Sequence, residues 1–473
     1  MKEKKKWSKR KKIIVISLIV VGSLLFILGA VLLGFFIYSK TYSTKKGNDK
    51  ITNTTGLVMQ GTNKEDKRYI YDSDGKLLTL HGVNAGNVLL QEGWMTCFSL
   101  DPKYNDDGSL KKDKDGNIQY PEFTQEDMLT GMESNPNLKD KKNELLNTYY
   151  KSFFSEEDFR IIKEDLSLNC IRLPFYWRNI LNDDLTRKDE DTAFSYIDWF
   201  LENCKKYNLY LILDLHGAPG SQNGYEHSGL LLDKGTLWTN ESYQNATIDL
   251  WSYVSYHYTY TKPELGKYIA TYDLLNEPQE EKDTPESKTC FDLQNKIYKA
   301  IRNNNDNHLI TFECIWDFSV SPNPDDYGWT NIMYEYHHYN WSHKTVTMDA
   351  FMAYHDMKHI GSDYDVPIYI GEFTYFEDKD NWNTAIYDWY GNRGYSWTIW
   401  NYKSCVVGWW TTSWGVFTAS LNLDTATEER KTDVRTCTEE EFLATCEKVK
   451  TSNCQKGTLY DILMSYKEGK RAS

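Results

Sequence analysis

The residues with the most chemical promise are two glutamates, Glu277 in Leu275-Asn276-Glu277-Pro278 and Glu372 in Ile370-Gly371-Glu372-Phe373. Each closes a short, mostly apolar run, Tyr272 to Leu275 in one case and Pro367 to Ile370 in the other. Runs this short between breakers predict buried parallel strands rather than helices. A carboxylate where a buried strand stops is costly unless it has a partner or a task. Two of them facing across one cleft are what cleavage of a glycosidic bond requires. One protonates the departing oxygen, and the other attacks the anomeric carbon or activates water. A separation of about 5 Å predicts retention of configuration, and about 6.5–9.5 Å predicts inversion.

Such a pair needs a frame that brings distant segments together. Buried-strand signals recur near Leu78–Asn84, Cys170–Pro174, Tyr210–His216, Thr271–Glu277, His308–Glu313, Ile332–His338, Pro367–Glu372 and Tyr395–Trp400. Helical patterns fill several intervals, among them one from Ser155, with a capping serine and early acids, and the amphipathic stretch Phe194 to Cys204. Eight strands alternating with helices predict an α/β fold, a (β/α)8 TIM barrel. A doubly wound open sheet is the rival, but His81-Gly-Val-Asn-Ala-Gly-Asn does not scan as its Gly-rich phosphate turn. Polar residues collect where a barrel places its active site, at the strands' carboxyl ends: Asn84, Arg172, His216, Glu277, His337, Glu372 and Trp400. Glu277 and Glu372 fall on strands four and seven. Alternation along a strand lets only one of His337 and His338 face the pocket, and likewise only one of Trp397 and Trp400.

The front of the chain differs from the rest. Residues 1–12 carry eight Lys or Arg against one Glu, and no charge follows from Ile13 to Tyr38. As a helix those 26 residues would reach about 39 Å, enough to cross a bilayer core of about 30 Å. The basic flank predicts a cytoplasmic N-terminus and an exported remainder. Length favours a single retained transmembrane helix, and so a lipid bilayer partner and a cell-membrane location, over a cleaved signal peptide. The expected organisation is a basic tail (1–12), a membrane helix (13–38), a stalk (39–65) and a barrel domain (66–473) with an insertion at about 91–153.

Composition limits partners and cofactors. Of 54 basic and 68 acidic residues, 8 and 1 lie in 1–38, leaving 46 against 67. So acidic a domain argues against nucleic acid, whose phosphates need clustered Lys and Arg. Nine cysteines leave at least one unpaired, and Cys437, Cys446 and Cys454 form the group suited to a disulfide. No Cys or His spacing indicates zinc. Asp113-Lys-Asp115-Gly116 echoes a calcium loop, yet Lys111 takes the first ligand position, so a surface hairpin is expected there.

Several of these strings together resemble glycoside hydrolase family 5. Thr271-Tyr-Asp-Leu-Leu-Asn-Glu-Pro is similar to its Asn-Glu-Pro motif, which implies Glu277 as acid/base and Asn276 as a ligand of the sugar 2-hydroxyl. Ile368-Tyr-Ile-Gly-Glu372-Phe resembles the segment bearing the nucleophile. The resemblance further implies substrate-site roles for Arg172 beside the nucleophile, for His216 toward sugar hydroxyls, and for the His337/Tyr339 pair. It also implies Trp400 as the floor beneath the cleaved sugar. Gly82-Val-Asn-Ala-Gly-Asn, Leu90-Gln-Glu-Gly-Trp94 and Phe153-Phe-Ser-Glu-Glu-Asp-Phe-Arg are closest in texture to the exo-1,3-glucanase branch. The expectation is a membrane-anchored retaining β-glycosidase acting on β-glucans or oligosaccharides, by an exo or endo route, without metal or organic cofactor. The alternative is an anchored carbohydrate-binding or wall-attachment protein on an inactive barrel.

Overall fold

The computed structural model describes residues 56–63, 66–114, 116, 118–280, 288–313, 321–341, 345–361, 364–406, 414–420 and 430–472, with positions 21–23, 26 and 29 near the start. Eight strands form a closed barrel: β1 His81–Asn84, β2 Cys170–Tyr176, β3 Tyr210–Gly217, β4 Ile269–Asp273, β5 Leu309–Glu313, β6 Ile332–Tyr339, β7 Ile368–Thr374 and β8 Ser396–Ile399. Neighbours around the ring follow chain order, every pairing is parallel, and β8 closes on β1 through Trp397 beside His81. The expected eight-stranded barrel is the observed one. Strand four is the exception in detail. It stops at Asp273, so Glu277 lies in the loop beyond it.

Alternation along the strands sorts the interior into two levels. Tyr210, Ile212, Ala270, Leu309, Met333 and Tyr369 pack with Val58, Ile70 and Leu78 into an apolar plug at the N-terminal end. Ile70 and Leu78 belong to a small antiparallel sheet (Met59–Gln60, Ile70–Tyr71, Leu77–Leu78), which Val58 directly precedes and which covers the barrel's lower mouth. Its hairpin turns at Asp74-Gly75, where Gly75 adopts φ 71°. Two residues further along the same faces, the interior turns polar: Arg172, Asp214, His216, Glu335 and His337. The outer helices bury the usual apolar stripe. Helix α1 (Ser195–Tyr207) hides Ile197, Phe200, Leu201 and Cys204, then stops at Asn208 in the left-handed region at φ 53°.

The stretch 91–153 falls between β1 and the helix that starts at Glu156, where the insertion was expected. Its second half forms two helices, Gln125–Ser134 and Lys142–Phe153, that dock on the C-terminal segment, where Asn135 donates to the carbonyls of Val434 and Cys437. Its first half carries short hairpins bridged at Tyr104/Leu110 and Lys112/Ile118, so the Asp113–Gly116 turn is a surface hairpin as expected. The described cysteines are all free thiols. The disulfide envisaged among Cys437, Cys446 and Cys454 is therefore not formed; Cys454 instead points its sulfur at the carbonyls of Val449 and Lys450. Cys314 lies outside the described residues. So does most of the anticipated membrane span 13–38, together with its flanking tail and residues 39–55 of the stalk. The expected stalk is corrected at its end: Val58 is buried and Met59–Gln60 pairs with Ile70–Tyr71, so this part belongs to the domain. Among the described residues no helix is long and apolar enough to cross a membrane.

Candidate active site

At the carboxyl end of the strands a cavity of about 620 Å³ opens, lined by Glu277, Glu372, Asn276, His216, His337, Tyr339 and Trp400. Of the eight residues singled out in the sequence, only Arg172 does not line it. Its guanidinium is wholly buried below the cavity and cannot reach a ligand. The substrate contact expected of Arg172 is corrected to a supporting one, because the residue sits a level deeper in the barrel than the reacting groups. From there it donates to Glu372 Oε1 (2.9 Å), Asn276 Oδ1 (2.8 Å), Asn84 Oδ1 (3.2 Å) and Asp273 Oδ2 (2.9 Å). One cation thus orients both the nucleophile candidate and its neighbour.

A bulge puts Glu372 in the cavity. Tyr336 pairs with Ile370, but His337 pairs with Glu372, so Gly371 is skipped. Tyr369 faces the interior, and strict alternation would have turned Glu372 out toward the helices. The extra residue re-aims it. Only glycine fits at 371, since a Cβ there would lie 1.5 Å from Glu335 Oε1. Asn84 and Thr398 donate to the Gly371 carbonyl (2.9 and 2.6 Å) and fix the bulge. Tyr339 completes the placement, donating its hydroxyl to Glu372 Oε2 at 2.7 Å.

Glu277 is held by different means. Its backbone takes φ 42°, a region most side chains avoid. The cost of such a conformation is met by the surroundings. Its N–H donates to Glu313 Oε2, and its carbonyl accepts from Asn223 Nδ2 at 3.1 Å. Gln222 donates to the Asn276 carbonyl, so the loop after β3 clasps the loop after β4. Glu313, whose place at the end of strand five was legible but whose role was not, is the anchor of the Glu277 backbone. Burial raises its carboxyl well above the usual range, His337 opposing and Glu335 adding to the rise. Asp214 and Asp273 are raised for the same first reason, burial, with Arg172 pulling the other way.

Both side-chain oxygens of Glu277 meet imidazole nitrogens. His337 Nδ1 lies 2.8 Å from Oε1, and His227 Nε2 lies 3.1 Å from Oε2. Burial disfavours charge on His337, but Glu313 and Glu372, with hydrogen bonds to Glu277 and Glu335, raise it well above the ordinary imidazole value. Burial likewise opposes ionisation of Glu277, yet its two histidines hold it well below the usual carboxylate range. His337 Nδ1 is also 3.5 Å from Glu372 Oε2. The two glutamates' facing oxygens can be no farther apart than 2.8 and 3.5 Å laid end to end. That falls short of the about 6.5 Å at which inverting geometry begins.

Burial lowers the His216 imidazole well below its usual value, with Glu372 opposing. Its Nδ1 sits 2.7 Å from Asp214 Oδ2, and its ring lies parallel to Trp400 at 5.4 Å. Trp400 therefore has one face braced and the cavity beyond it. The alternation argument holds for both pairs. His338 turns away to Tyr390 (2.8 Å), and Trp397 stacks on His81 in the outer layer.

Five lining residues escaped the sequence reading, Glu92, Glu226, His227, Trp341 and His355. Glu92 lines the cavity with Trp94 donating to its Oε2 at 2.7 Å; burial, with Glu372 adding, lifts its carboxyl to about 8. Glu226 and His227 come from the loop after β3, and Trp341 stands 61% exposed at the rim, stacked on Tyr339. Four tryptophans of the expected barrel-top loops are of a type that could serve as sugar platforms or as packing: Trp94 and Trp414 pack edge to face at 4.9 Å in the wall, and Trp409 and Trp410 lie outside the described residues. Within 4.8 Å, Glu277, Glu313 and His337 gather three atoms that could ligate a metal, but two already form the short Glu277–His337 hydrogen bond.

Comparison with known proteins agrees with this frame. The profile described as cellulase (glycosyl hydrolase family 5) matches residues 124–405. The beta-xylosidase of Phanerodontia chrysosporium is 30% identical over 207 residues, 43% of this chain and 41% of that one. A sporulation-specific glucan 1,3-beta-glucosidase of Saccharomyces cerevisiae is 31% identical over 282 residues, 55% of each chain. The chain thus spans about two fifths to just over half of these relatives' length. The rutinosidase structure from Aspergillus niger shares the fold, with a TM-score of 0.50 and 15% identity over 71% of this chain and 95% of that one. With the profile covering more than half of the sequence and the barrel closed around the segments it matches, the chain belongs to the cellulase family, glycosyl hydrolase family 5.

Proposed function

We propose that the protein is a retaining β-glycosidase that hydrolyses β-glucosidic bonds in glucans or their oligosaccharides by double displacement. The single observation that carries this is the meeting of Glu277 and Glu372 on one cavity, bridged by His337 at 2.8 and 3.5 Å. Glu372 attacks the anomeric carbon, forming a glycosyl ester as the glycosidic C–O bond breaks. Glu277 delivers the proton to the leaving oxygen, then takes one from the water that frees the sugar. Arg172 and Tyr339 aim Glu372, so little reorganisation is needed at the moment of attack. Asn276, with its carbonyl oxygen occupied by Arg172, offers its amide N–H to a sugar hydroxyl. The apolar face of Trp400 suits the hydrocarbon side of a pyranose ring. Support for β-glucans as substrate comes from the similarity to a glucan 1,3-beta-glucosidase, and a xyloside is the nearest competitor.

The location belongs to the same proposal. Residues 13–38 tether the enzyme to the cell membrane, with its basic tail inside and the barrel outside. The uncharged 26-residue run behind eight basic residues supports this. Incubation of the full chain, held in mild detergent, with laminari- and cello-oligosaccharides tests the reaction, and proton NMR of the first-formed product tests retention. No shortened product from either series would leave only a binding barrel. An initial α-anomer would refute double displacement. Membrane fractionation of the full chain with and without residues 1–38 tests the tether.

A further inference from the structure

The double displacement proposed above leaves one question open, where the acid's proton is kept. Glu277 has both oxygens against imidazoles, an arrangement that favours carboxylate over carboxylic acid. A general acid must nevertheless carry a proton when the bond breaks. We propose that His227 and Glu277 work as one proton-holding dyad, with His227 the positioning residue that reloads Glu277 Oε2 with the proton given to the leaving oxygen.

The geometry separates the two histidines. His337 is deep and 1% exposed, and its ring is flanked by Glu335 and Glu313 as well as by Glu277. Its proton has nowhere to go. The His227 side chain is 20% exposed against 10% for Glu277, so it stands on the solvent side of the carboxylate. A second contact fits a proton that comes and goes. Asn223 Nδ2 lies 2.9 Å from the same His227 Nε2. While Nε2 carries hydrogen it donates to Glu277; once the hydrogen has crossed, Nε2 becomes an acceptor and the Asn223 amide supplies its partner. The neutral ring thus has a partner for Nε2 already in place, and the protonated ring has Glu277. Tyr225 stacks on the imidazole at 5.4 Å and holds its plane.

The groups facing His227 are Glu277 from the loop after β4, Glu92 from the loop after β1, His216 from β3 and its own neighbour Glu226. Burial disfavours the imidazolium, but the hydrogen bond and charge of Glu277, with Glu92 and Glu226, raise His227 to about 9. In the first step the hydrogen passes from Nε2 to Oε2 and on to the departing oxygen, leaving neutral imidazole and carboxylate. In the second, the attacking water gives its proton to Oε2, which returns it to Nε2 as Glu372 leaves the anomeric carbon.

His227→Asn tests this, because it keeps a donor and removes the titration. On an unactivated β-glucoside, the basic limb of kcat/KM should move down by about one pH unit or more, with about a tenfold loss at pH 8. On a 2,4-dinitrophenyl β-glucoside, whose leaving group needs no proton, kcat/KM should stay within about twofold of the parent. An unchanged basic limb and equal losses on both substrates would overturn the inference. Histidine NMR titration does not depend on turnover, and the dispersion of the same spectra reports whether the variant is folded. The His227 midpoint should fall by about one unit or more in Glu277→Gln, and an unmoved midpoint would also refute the dyad. Turnover that dies in Glu372→Ala but ignores His227→Asn removes this inference alone. A wild-type chain inert toward every glycoside removes the hydrolase reading, and the dyad with it.

Discussion

Two buried sets of histidine and carboxylate sit at opposite ends of the barrel, and they do different things with the same groups. At the N-terminal end, His308 Nδ1 lies 2.6 Å from Asp306 Oδ1, its Nε2 2.8 Å from the Gly266 carbonyl, and Tyr272 donates to Asp306 Oδ2. Every polar atom of that pair is used inside the protein. At the C-terminal end, Glu277 meets two imidazoles, of which His337 is also contested by Glu313, Glu335 and Glu372, and Glu277, both histidines and Glu372 line a cavity. Residue type does not distinguish the two sets. What distinguishes them is whether the hydrogen-bonding capacity closes within the fold or is left open toward a space a ligand can enter.

The contrast can be broken most forcefully at Glu372. Glu372→Ala should lower kcat by on the order of 10⁵-fold with the fold intact, and added azide should restore turnover of activated glycosides. Retention of the parental rate would end the assignment. A smaller loss is expected at the other carboxylate. Glu277→Ala should cost about 10²–10⁴-fold on poor leaving groups and far less on dinitrophenyl glycosides, a split read from kcat/KM across a leaving-group series. Arg172→Leu joins the two ends of the comparison, since it strips a buried network of its cation. Leaving Asp273, Asp214 and Glu372 without it should reduce unfolding free energy by about 3–5 kcal/mol in denaturant titration, alongside a loss of activity.

The smallest effect is at the closed pair, and it should fall on stability alone. Asp306→Asn should lower unfolding free energy by about 1–3 kcal/mol and leave kcat/KM unchanged. Its pH dependence has a definite sign. Despite burial, the charge of His308 holds Asp306 below its usual value, so that contribution exists above about pH 4 and fades as pH falls through the lowered value. Burial opposes charge on His308, but Asp306 raises it, so that contribution is complete below about pH 6.5 and is lost as pH rises through the raised value. The gap in Tm between parent and Asp306→Asn should therefore be widest between about pH 4 and 6.5. A gap independent of pH would show that the pair is held by something other than charge.

The predicted elements that survived are those set by local pattern. Short apolar runs bounded by breakers became β1 to β8, and helix α1 followed its 3.6-residue stripe. Parity along a strand correctly separated His337 from His338 and Trp400 from Trp397. The insertion at 91–153 was legible as a break in the alternation of strands and helices, but the partner of its two helices was not, because that partner is the segment around Val434, about 300 residues later. A cysteine pairing failed for a similar reason: closeness in sequence did not bring the sulfurs of Cys437, Cys446 and Cys454 to one another.

What the chain alone determined is a closed parallel barrel with polar residues at the carboxyl ends of its strands, which follows from residue type and from the periods of two and 3.6; the roles of those residues are what the resemblance to the family implied. Four things were decided only in three dimensions. They are the aim of Glu372, the left-handed backbone of Glu277, the depth of Arg172 and the arrival of His227 from a different loop. Each depends on contacts between segments far apart in the chain. A skipped residue at Gly371 reverses the direction of a side chain, and no pattern within a single strand records the neighbour against which that residue is skipped.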